Sequence, residues 1–489
     1  MLFMGKSFRS DDLNQCLLLP PSLHDWLPEN HLARFLVDVV ETLDVSAIHA
    51  SYESGDGRGQ SAYAPAMMVR VLLYGYATGT FSSRKIQAKT FEDVAFRFLS
   101  ADEHPDHSTL AEFRKRHLQA LAGLFTQALQ LCQKAGLVKL GHVAIDGTKL
   151  QANASKHKAM SYGRMDEAEK KLKDEIDALL KRAEAEDAAE DEKFGRGRSG
   201  DNLPAELARR ESRLAKLQAA KAELEEEARQ QAEEKKAAVE ARIAERHEQE
   251  ERTGKKIRGA EPKALDPDTA TPKANAQRNF TDVESRIMPS GSQKGAFLQG
   301  YNAQIAVDGA AQIIVAVDVI QQTTDNHQLV PMLEQTERNV GAWPQAVSAD
   351  TGYWNPKQVE KIQGLGIDLH VATGKQKHGE TSPPDEGHSS EEGEESSLRE
   401  RMKQKLASDA GRDVYRMRKA IAEPVFGQIK EWRGFRRFSL RGLDNVRDEW
   451  KLVCLTHNLL KLFRSGYALE ACRGRQKEAV TVRIAGSWA

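Results

Sequence analysis

The stretch "GHVAIDGTKLQANAS", residues 141–155, decides how the rest of the chain is read. Val143 to Ile145 form a short apolar run of the kind buried on both faces in a central strand, and the run ends on Asp146, followed at once by Gly147 and Thr148. An ionised carboxylate there is costly unless a partner compensates it. One such partner is a backbone N–H of a turn that Gly147 permits, because Asp commonly caps its own chain reversal. The other is a metal ion.

A second buried strand ends in the same way. "QAVSADTGYWNP" places Asp350 after Val347 to Ala349, with Thr351, Gly352 and Tyr353 behind it. On adjacent strands the two carboxylates lie close together, and like charges at that distance share a proton or bind a cation. Paired hard oxygen ligands with open positions suit Mg²⁺ or Mn²⁺; two capped turns are the alternative, and spacing alone leaves both open. A third acid stands in "DVYRMRKAIAEPVFGQIKEWRGFRRF", where Arg416, Lys419 and Lys430 fall on the helical face of Glu423. That pattern is either an ion-pair ladder or a metal ligand whose neighbours hold phosphates. Pro424 disfavours helical backbone at Glu423, so a kink or a helix start is expected there.

Around these strands the chain is mixed. Residues 26–135 are expected to be helical, with "HLARFLVDVVETL", "PAMMVRVLLYGYATG" and "TLAEFRKRHLQALAGLFTQALQLCQKAG" as amphipathic patterns. Ser82 or Ser83 caps a helix whose first turn holds Arg84 and Lys85, where a recognition helix makes its DNA contacts. Met165, Leu172, Ile176, Leu179 and Ala183, then Leu207, Leu214, Leu217 and Leu224, follow heptad-like spacings. Glycines 195, 197 and 200 separate the two arms, which predicts an antiparallel helical hairpin over 160–250 and a charged, Pro-rich return over 251–275. From 300 onward strands and helices alternate, with a hairpin at Gly309 and two final helices over 409–432 and 443–465.

With 71 Lys plus Arg against 72 Asp plus Glu, net charge alone argues against a nucleic-acid partner. The average conceals segregation. Residues 379–400 hold eight acids and one base, whereas residues 401–441 hold twelve bases and four acids, and phosphate binding depends on such a local basic patch. Four scattered cysteines indicate neither a disulfide framework nor a zinc ribbon. No apolar run approaches the roughly 20 residues a membrane helix needs, so a cytoplasmic protein without a membrane partner is expected.

"HVAIDGTKLQANAS", "SRIM" with "GYNAQIAVD", "DNHQLVPML", "ADTGYW" and "YRMRKAIAEPVFGQIKEWRGFRRFSLRG", in this order, resemble bacterial insertion-sequence transposases of the DDE class. "PAMMVRVLLYGYATGTFSSRKI", "DVAFRFLS" and "PDHSTLAEFRKRH" resemble the helical domain preceding the catalytic core in that group. The resemblance implies an α/β, ribonuclease-H-like mixed-sheet core in which Asp146, Asp350 and Glu423 bind two divalent ions, Mg²⁺ or Mn²⁺. With it come an all-α N-terminal domain and a coiled insertion after the first catalytic strand, read here as antiparallel. The expected division is a helical, DNA-binding 1–135; a core of 136–158 with 280–470; a hairpin insertion and linker of 159–279; an acidic disordered loop of 374–400 inside the core; and a tail of 471–489.

The implied activity is metal-dependent cleavage at terminal inverted repeats and strand transfer into target DNA, by a homodimer holding two double-stranded ends. A nuclease that cuts without joining and a catalytically inactive coiled-coil interaction protein are the rival readings. Related transposases often carry Tyr, two residues, Arg, three residues, Glu, six residues, Lys. Here Glu423 and Lys430 keep the last spacing, but Tyr415 and Arg418 stand one residue too far upstream. Lys419 shares the Glu423 face and is favoured for the Arg position, with Arg418 turned to a neighbouring phosphate. Lys430 and Arg433 are expected on phosphates, and Trp432, Phe435 and Phe438, interleaved with Arg436 and Arg437, either stack on an unpaired base or belong to the core.

Overall fold

The computed structural model of the protein describes residues 22–53, 62–194, 203–253, 259–260, 263, 266–290, 295–374 and 394–467. The expected hairpin turn at glycines 195, 197 and 200, most of the acidic run and the 471–489 tail lie outside them, as do the side chains of Ala183 and Leu207.

Among the described residues seven α-helices come first: α1 (Leu32–Thr42), α2 (Ser46–Glu53), α3 (Pro65–Ala77), α4 (Ser83–Glu92), α5 (Val94–Leu99), α6 (His107–Arg116) and α7 (Leu118–Lys134). Pro65 opens α3 at a position that needs no N–H donor, and Asp93 and Asp106 cap α5 and α6 by accepting backbone N–H groups. The helical region does not keep a core of its own. Its apolar side chains and those of the sheet form one continuous cluster, with Phe35 against Phe463 and Phe81 edge-on to Phe435.

The sheet is built on β1 (His142–Gln151), which continues straight through Gly147 rather than turning there. After β1 come the short ribbon β2 (Ala159–Ser161) and β3 (Gln277–Asn279), then β4 (Arg286–Pro289), β5 (Phe297–Asp308), β6 (Ile313–Ile320), β7 (Ala346–Ala349) and β8 (Asp368–Val371). Strand β5 lies antiparallel to β1 on one side, and β7 parallel to it on the other, with β8 parallel beyond β7. The far edge of the long strand β5 pairs first with β4 and then with β6, which returns through the tight connection at Gly309. Alternation is weak because nearly every residue of β5 and β6 is buried, as expected of strands covered on both faces.

Between β2 and β3 stand two long helices, α8 (Tyr162–Phe194) and α9 (Leu203–Thr253). Their contacts run in opposite order, from Tyr162 with Glu225 through Asp166 with Lys221 to Glu175 with Arg210, so the helices are antiparallel. Met165, Leu217, Ala220 and Leu224 form a small core of their own at the base. Within the return, a 3₁₀ turn at Pro267–Thr269 is capped by Asp266.

The remaining helices are α10 (Leu329–Val340), α11 (Pro356–Gln363), α12 (Glu394–Ala407), α13 (Asp409–Gly427) and α14 (Leu443–Arg464). Two expectations need correction. Residues 394–400 are not structureless: they open α12, because Leu398 and Met402, one turn apart, bury an apolar stripe that the surrounding acids mask in composition. Pro424 does not start a helix, since α13 runs through it and continues as a π-helical turn at Gln428–Trp432. The Ala420 carbonyl, which Pro424 cannot serve, accepts a hydrogen bond from Gln312 Nε2 at 3.0 Å.

Candidate active site

The register of the central parallel pair places two acids side by side. Ile145 is opposite Ala349, the last pair of the β1–β7 ladder, so Asp146 and Asp350 are the next residues on adjacent strands. Asp350 leaves the ladder and caps the 3₁₀ turn Thr351–Tyr353, its Oδ1 accepting the Gly352 N–H at 2.9 Å. Asp146 accepts the Gly147 N–H at 2.8 Å and receives Arg418 Nη1 from α13 at 3.3 Å. Burial pushes the Asp146 carboxyl up to about 6, opposed by Arg418 and reinforced by Asp350 and Asp325. The Asp350 carboxyl is raised as well, chiefly by burial, with the Gly352 N–H and then Arg418 pulling it back.

Helix α13 supplies the cations because it lies across β1, β5, β7 and β8. Its inward stripe is Arg418, Ile421, Ala422, Val425 and Phe426, all buried. Tyr415, half-buried, lies with its ring 5.8 Å from the Arg418 guanidinium, and burial raises its phenol above the ordinary value. Beyond the π turn, Lys430 Nζ donates to Thr148 Oγ1 at 3.0 Å. Thr148 is two residues past Asp146 and therefore on the same face of the strand. Burial lowers the Lys430 ammonium, helped by nearby Arg436.

A third carboxylate belongs to this neighbourhood and was not among the expected residues. Asp325, in the loop after β6, accepts Asn302 Nδ2 at 2.6 Å and Gln304 Nε2 at 2.7 Å, and lies 3.7 Å from Lys149 Nζ. Gln304 in turn accepts the hydroxyl of fully buried Tyr353. This polar layer runs along the face of β1 opposite Asp146, directly beneath Gly147. A Cβ at position 147 would stand 2.5 Å from Gln304 Nε2 and 3.0 Å from Asp325 Oδ1. Gly147 is therefore required by a close approach and not by a turn. The available signal was the buried amide pair Asn302 and Gln304, two residues apart on one face of an otherwise apolar strand, which needs an acceptor.

Glu423 is exposed on α13 and its side chain makes no hydrogen bond or ion pair among the described residues. It follows Arg418 by five residues, which turns it roughly 140° away around the helix, and it shares the outer face with exposed Arg416 and Lys419. This phase puts Arg418, and not the favoured Lys419, against Asp146.

Arg433 is also corrected. It is 4% exposed and donates through Nη1 to Val453 O and Thr456 Oγ1 of α14, so it ties helices together and faces no phosphate. Phe435 and Phe438 are core, edge-on to each other with Phe435 stacked on Trp450, whereas Trp432 is 63% exposed beside the Arg464 guanidinium. Arg436 is exposed and paired with Glu431. Arg84 and Lys85 are exposed in the first turn of α4, which Ser82 precedes without a side-chain capping bond. The loop entering α4 packs on the Arg433 backbone, where a Cβ at Gly79 would stand 2.6 Å from the Arg433 carbonyl oxygen.

Comparison with known families agrees with this geometry. Residues 21–116 match a model described as a transposase domain (DUF772), and residues 269–459 match one described as a transposase DDE domain. The second match contains Asp325, Asp350, Arg418, Glu423 and Lys430; β1 with Asp146, and the hairpin with its return as far as residue 268, fall between the two. No curated protein and no solved structure matches the chain. Two transposase models in the expected order, flanking a strand whose Asp146 lies beside Asp350 of the DDE region, make the chain an insertion-sequence transposase of the DDE class.

Proposed function

We propose that Asp146, Asp350 and Glu423 hold two divalent cations, Mg²⁺ or Mn²⁺, in a ribonuclease-H-like core that cuts and joins DNA at the ends of an insertion sequence. The observation that carries this is the adjacency of Asp146 and Asp350, both with carboxyls raised by burial and by surrounding acids. Two desolvated carboxylates, compensated only in part by Arg418, are a donor set that fits a hard cation. Glu423 has its carboxylate free of protein partners but stands on the outer face of α13, so its place as the third ligand rests on the DDE-class resemblance and not on contact with the two aspartates. Bound cations supply activation of a water or a 3′-hydroxyl and stabilisation of the departing oxygen in an in-line displacement.

The chain's own residues do the positioning. Arg418 moves between Asp146 and a phosphate oxygen, for which its planar fork is suited. Lys430, held at the mouth of the same strand face by Thr148, binds the adjoining phosphate, and Tyr415 orients Arg418. Lys419, Arg436, Arg84 and Lys85 make outer backbone contacts. The strand order β6-β5-β1-β7-β8, with β5 antiparallel and β7 and β8 parallel, supports the ribonuclease-H-like assignment. Helices α8 and α9 are an antiparallel coiled-coil insertion spanning 159–279 that serves assembly of a homodimer on two DNA ends in the cytoplasm. Residues 1–135 contribute the first DNA contacts, and 136–158 with 280–470 make the catalytic unit.

The test is a terminal-repeat DNA fragment with Mn²⁺ and a target plasmid, with cut and joined products scored separately. Asp146→Asn, Asp350→Asn and Glu423→Gln should each abolish cleavage while end binding by gel shift persists. A variant that still cleaves removes that residue from the set, and cutting without joining reduces the function to a nuclease.

A further inference from the structure

We infer that Asp325 is a positioning residue for this reaction: it locks the turn that aims Asp350 and keeps the Lys149 ammonium from taking the place of the cation. The inference rests on Asp350 being a ligand and adds to that reading a residue outside the expected triad.

The geometry points to it in three ways. First, Asp325 sits against the Asp350 turn. A Cβ on Gly352 would lie 3.1 Å from Asp350 Oδ1 and 3.2 Å from Asp325 Oδ2, so both carboxylates border the same glycine. The N–H of that glycine is what holds Asp350 Oδ1. Second, Asp325 is fixed from below. Asn302 and Gln304, each with no exposed surface, donate to its Oδ1, and Tyr353, the last residue of the Asp350 turn, donates back to Gln304 Oε1. Asp350, Gly352, Tyr353, Gln304 and Asp325 thus belong to one connected chain of contacts, anchored by the buried Tyr353–Gln304 bond, and such a chain favours one arrangement of its members. Third, Lys149 on β1 points its ammonium at Asp325 Oδ2, 3.7 Å away. Without that carboxylate its ammonium is left to Asp350, whose carboxyl it already influences. A lysine moved onto Asp350 would compete with a divalent ion for the same oxygens.

Asp325 does not itself serve as a ligand here, because both of its oxygens are engaged by Asn302, Gln304 and Lys149. Groups that hold a ligand's orientation cost about 10–100-fold in metal affinity or activity when removed. The experiment uses the full chain and Mn²⁺ itself as the probe, with free Mn²⁺ counted by electron paramagnetic resonance. Asp325→Asn should weaken Mn²⁺ binding by about 10–100-fold and shift the Mn²⁺ needed for half-maximal cleavage by a similar factor. End-DNA binding should be unchanged. Lys149→Met in the same background should recover part of the Mn²⁺ affinity by removing the competing ammonium, an effect a purely structural residue does not produce.

If Asp325→Asn fails to fold, Tyr353→Phe removes only the hydroxyl at the far end of the network and should weaken Mn²⁺ in the same direction. Unchanged Mn²⁺ affinity in a folded Asp325→Asn or Tyr353→Phe protein, alongside loss of Mn²⁺ binding in Asp350→Asn, overturns the inference and leaves the ligand assignment standing. Unchanged Mn²⁺ affinity in Asp350→Asn overturns the assignment on which it rests.

Discussion

Gly147→Ala tests the relation between the central strand and the polar layer beneath it. The added Cβ would meet Gln304 Nε2 at 2.5 Å, Asp325 Oδ1 at 3.0 Å and Asn302 Oδ1 at 3.1 Å. The nearest of these is a side-chain amide, but it has no room to yield: Gln304 is fully buried, with its nitrogen on Asp325 and its oxygen receiving Tyr353. Overpacking of this kind costs about 1–3 kcal/mol, and displacing a hydrogen bond to a carboxylate adds about 1.5–3 kcal/mol. A loss near 4 kcal/mol lowers the melting temperature by roughly 10 °C for a protein region of this size. The assay is a thermal melt followed by circular dichroism, paired with Mn²⁺-dependent cleavage, which should fall with the melt because the Asp350 turn hangs on the same layer. Gln304→Ser in the Gly147→Ala background opens space for the methyl group, so the double variant should lose less than the two single losses combined. A Gly147→Ala protein that melts within about 2 °C of the parent and cleaves normally refutes the packing argument.

The raised Asp146 carboxyl sets a pH dependence of stability in chelator-treated protein. A carboxyl held at about 6 when folded, against an ordinary 3.8, keeps its proton longer in the folded state, so stability is greatest below about 4, declines through the interval to about 6 and then levels. The decline amounts to about 3 kcal/mol, and melts at stepped pH should show Asp146→Asn flattening it; equal slopes in parent and variant would argue that the carboxyl is not raised. Glu227 on α9 accepts Arg278 Nη1 at 2.8 Å and Arg286 Nη2 at 2.9 Å, anchoring the hairpin to the sheet edge. Glu227→Ala leaves nearly buried Arg278 with weaker compensation and should cost about 2 kcal/mol, between the exposed and buried limits. Limited proteolysis should then cut α9 sooner, and an unchanged digestion rate would mean that the anchor lies elsewhere.

The parts of the fold that were legible in the sequence are those carried by local pattern. The two apolar runs closed by Asp146 and Asp350, the amphipathic helices before them and the heptad-like spacing of Met165, Leu172, Leu217 and Leu224 all state their own secondary structure. What escaped depends on which side of an element meets the core. Arg433 stands in a basic cluster, and only the return of α14 beneath it, offering Val453 O and Thr456, turns it inward. Asp325 lies in a loop without periodicity, and its role exists only because Asn302 and Gln304 of another strand reach it.

The phase of α13 is the instructive case, because it was legible from a different starting point. Measured from Glu423, the helix presents Arg416 and Lys419, and Lys419 is favoured for the inner position. Measured from the apolar stripe of Ile421, Ala422, Val425 and Phe426, the residues one and two turns before Ala422 and Val425 coincide at Arg418. Burying apolar surface is the stronger force on a helix packed against a sheet, so the stripe sets the rotation and the charges follow from it. Arg418 therefore reaches Asp146 for a packing reason, and Glu423 is carried to the outer face by the same rotation.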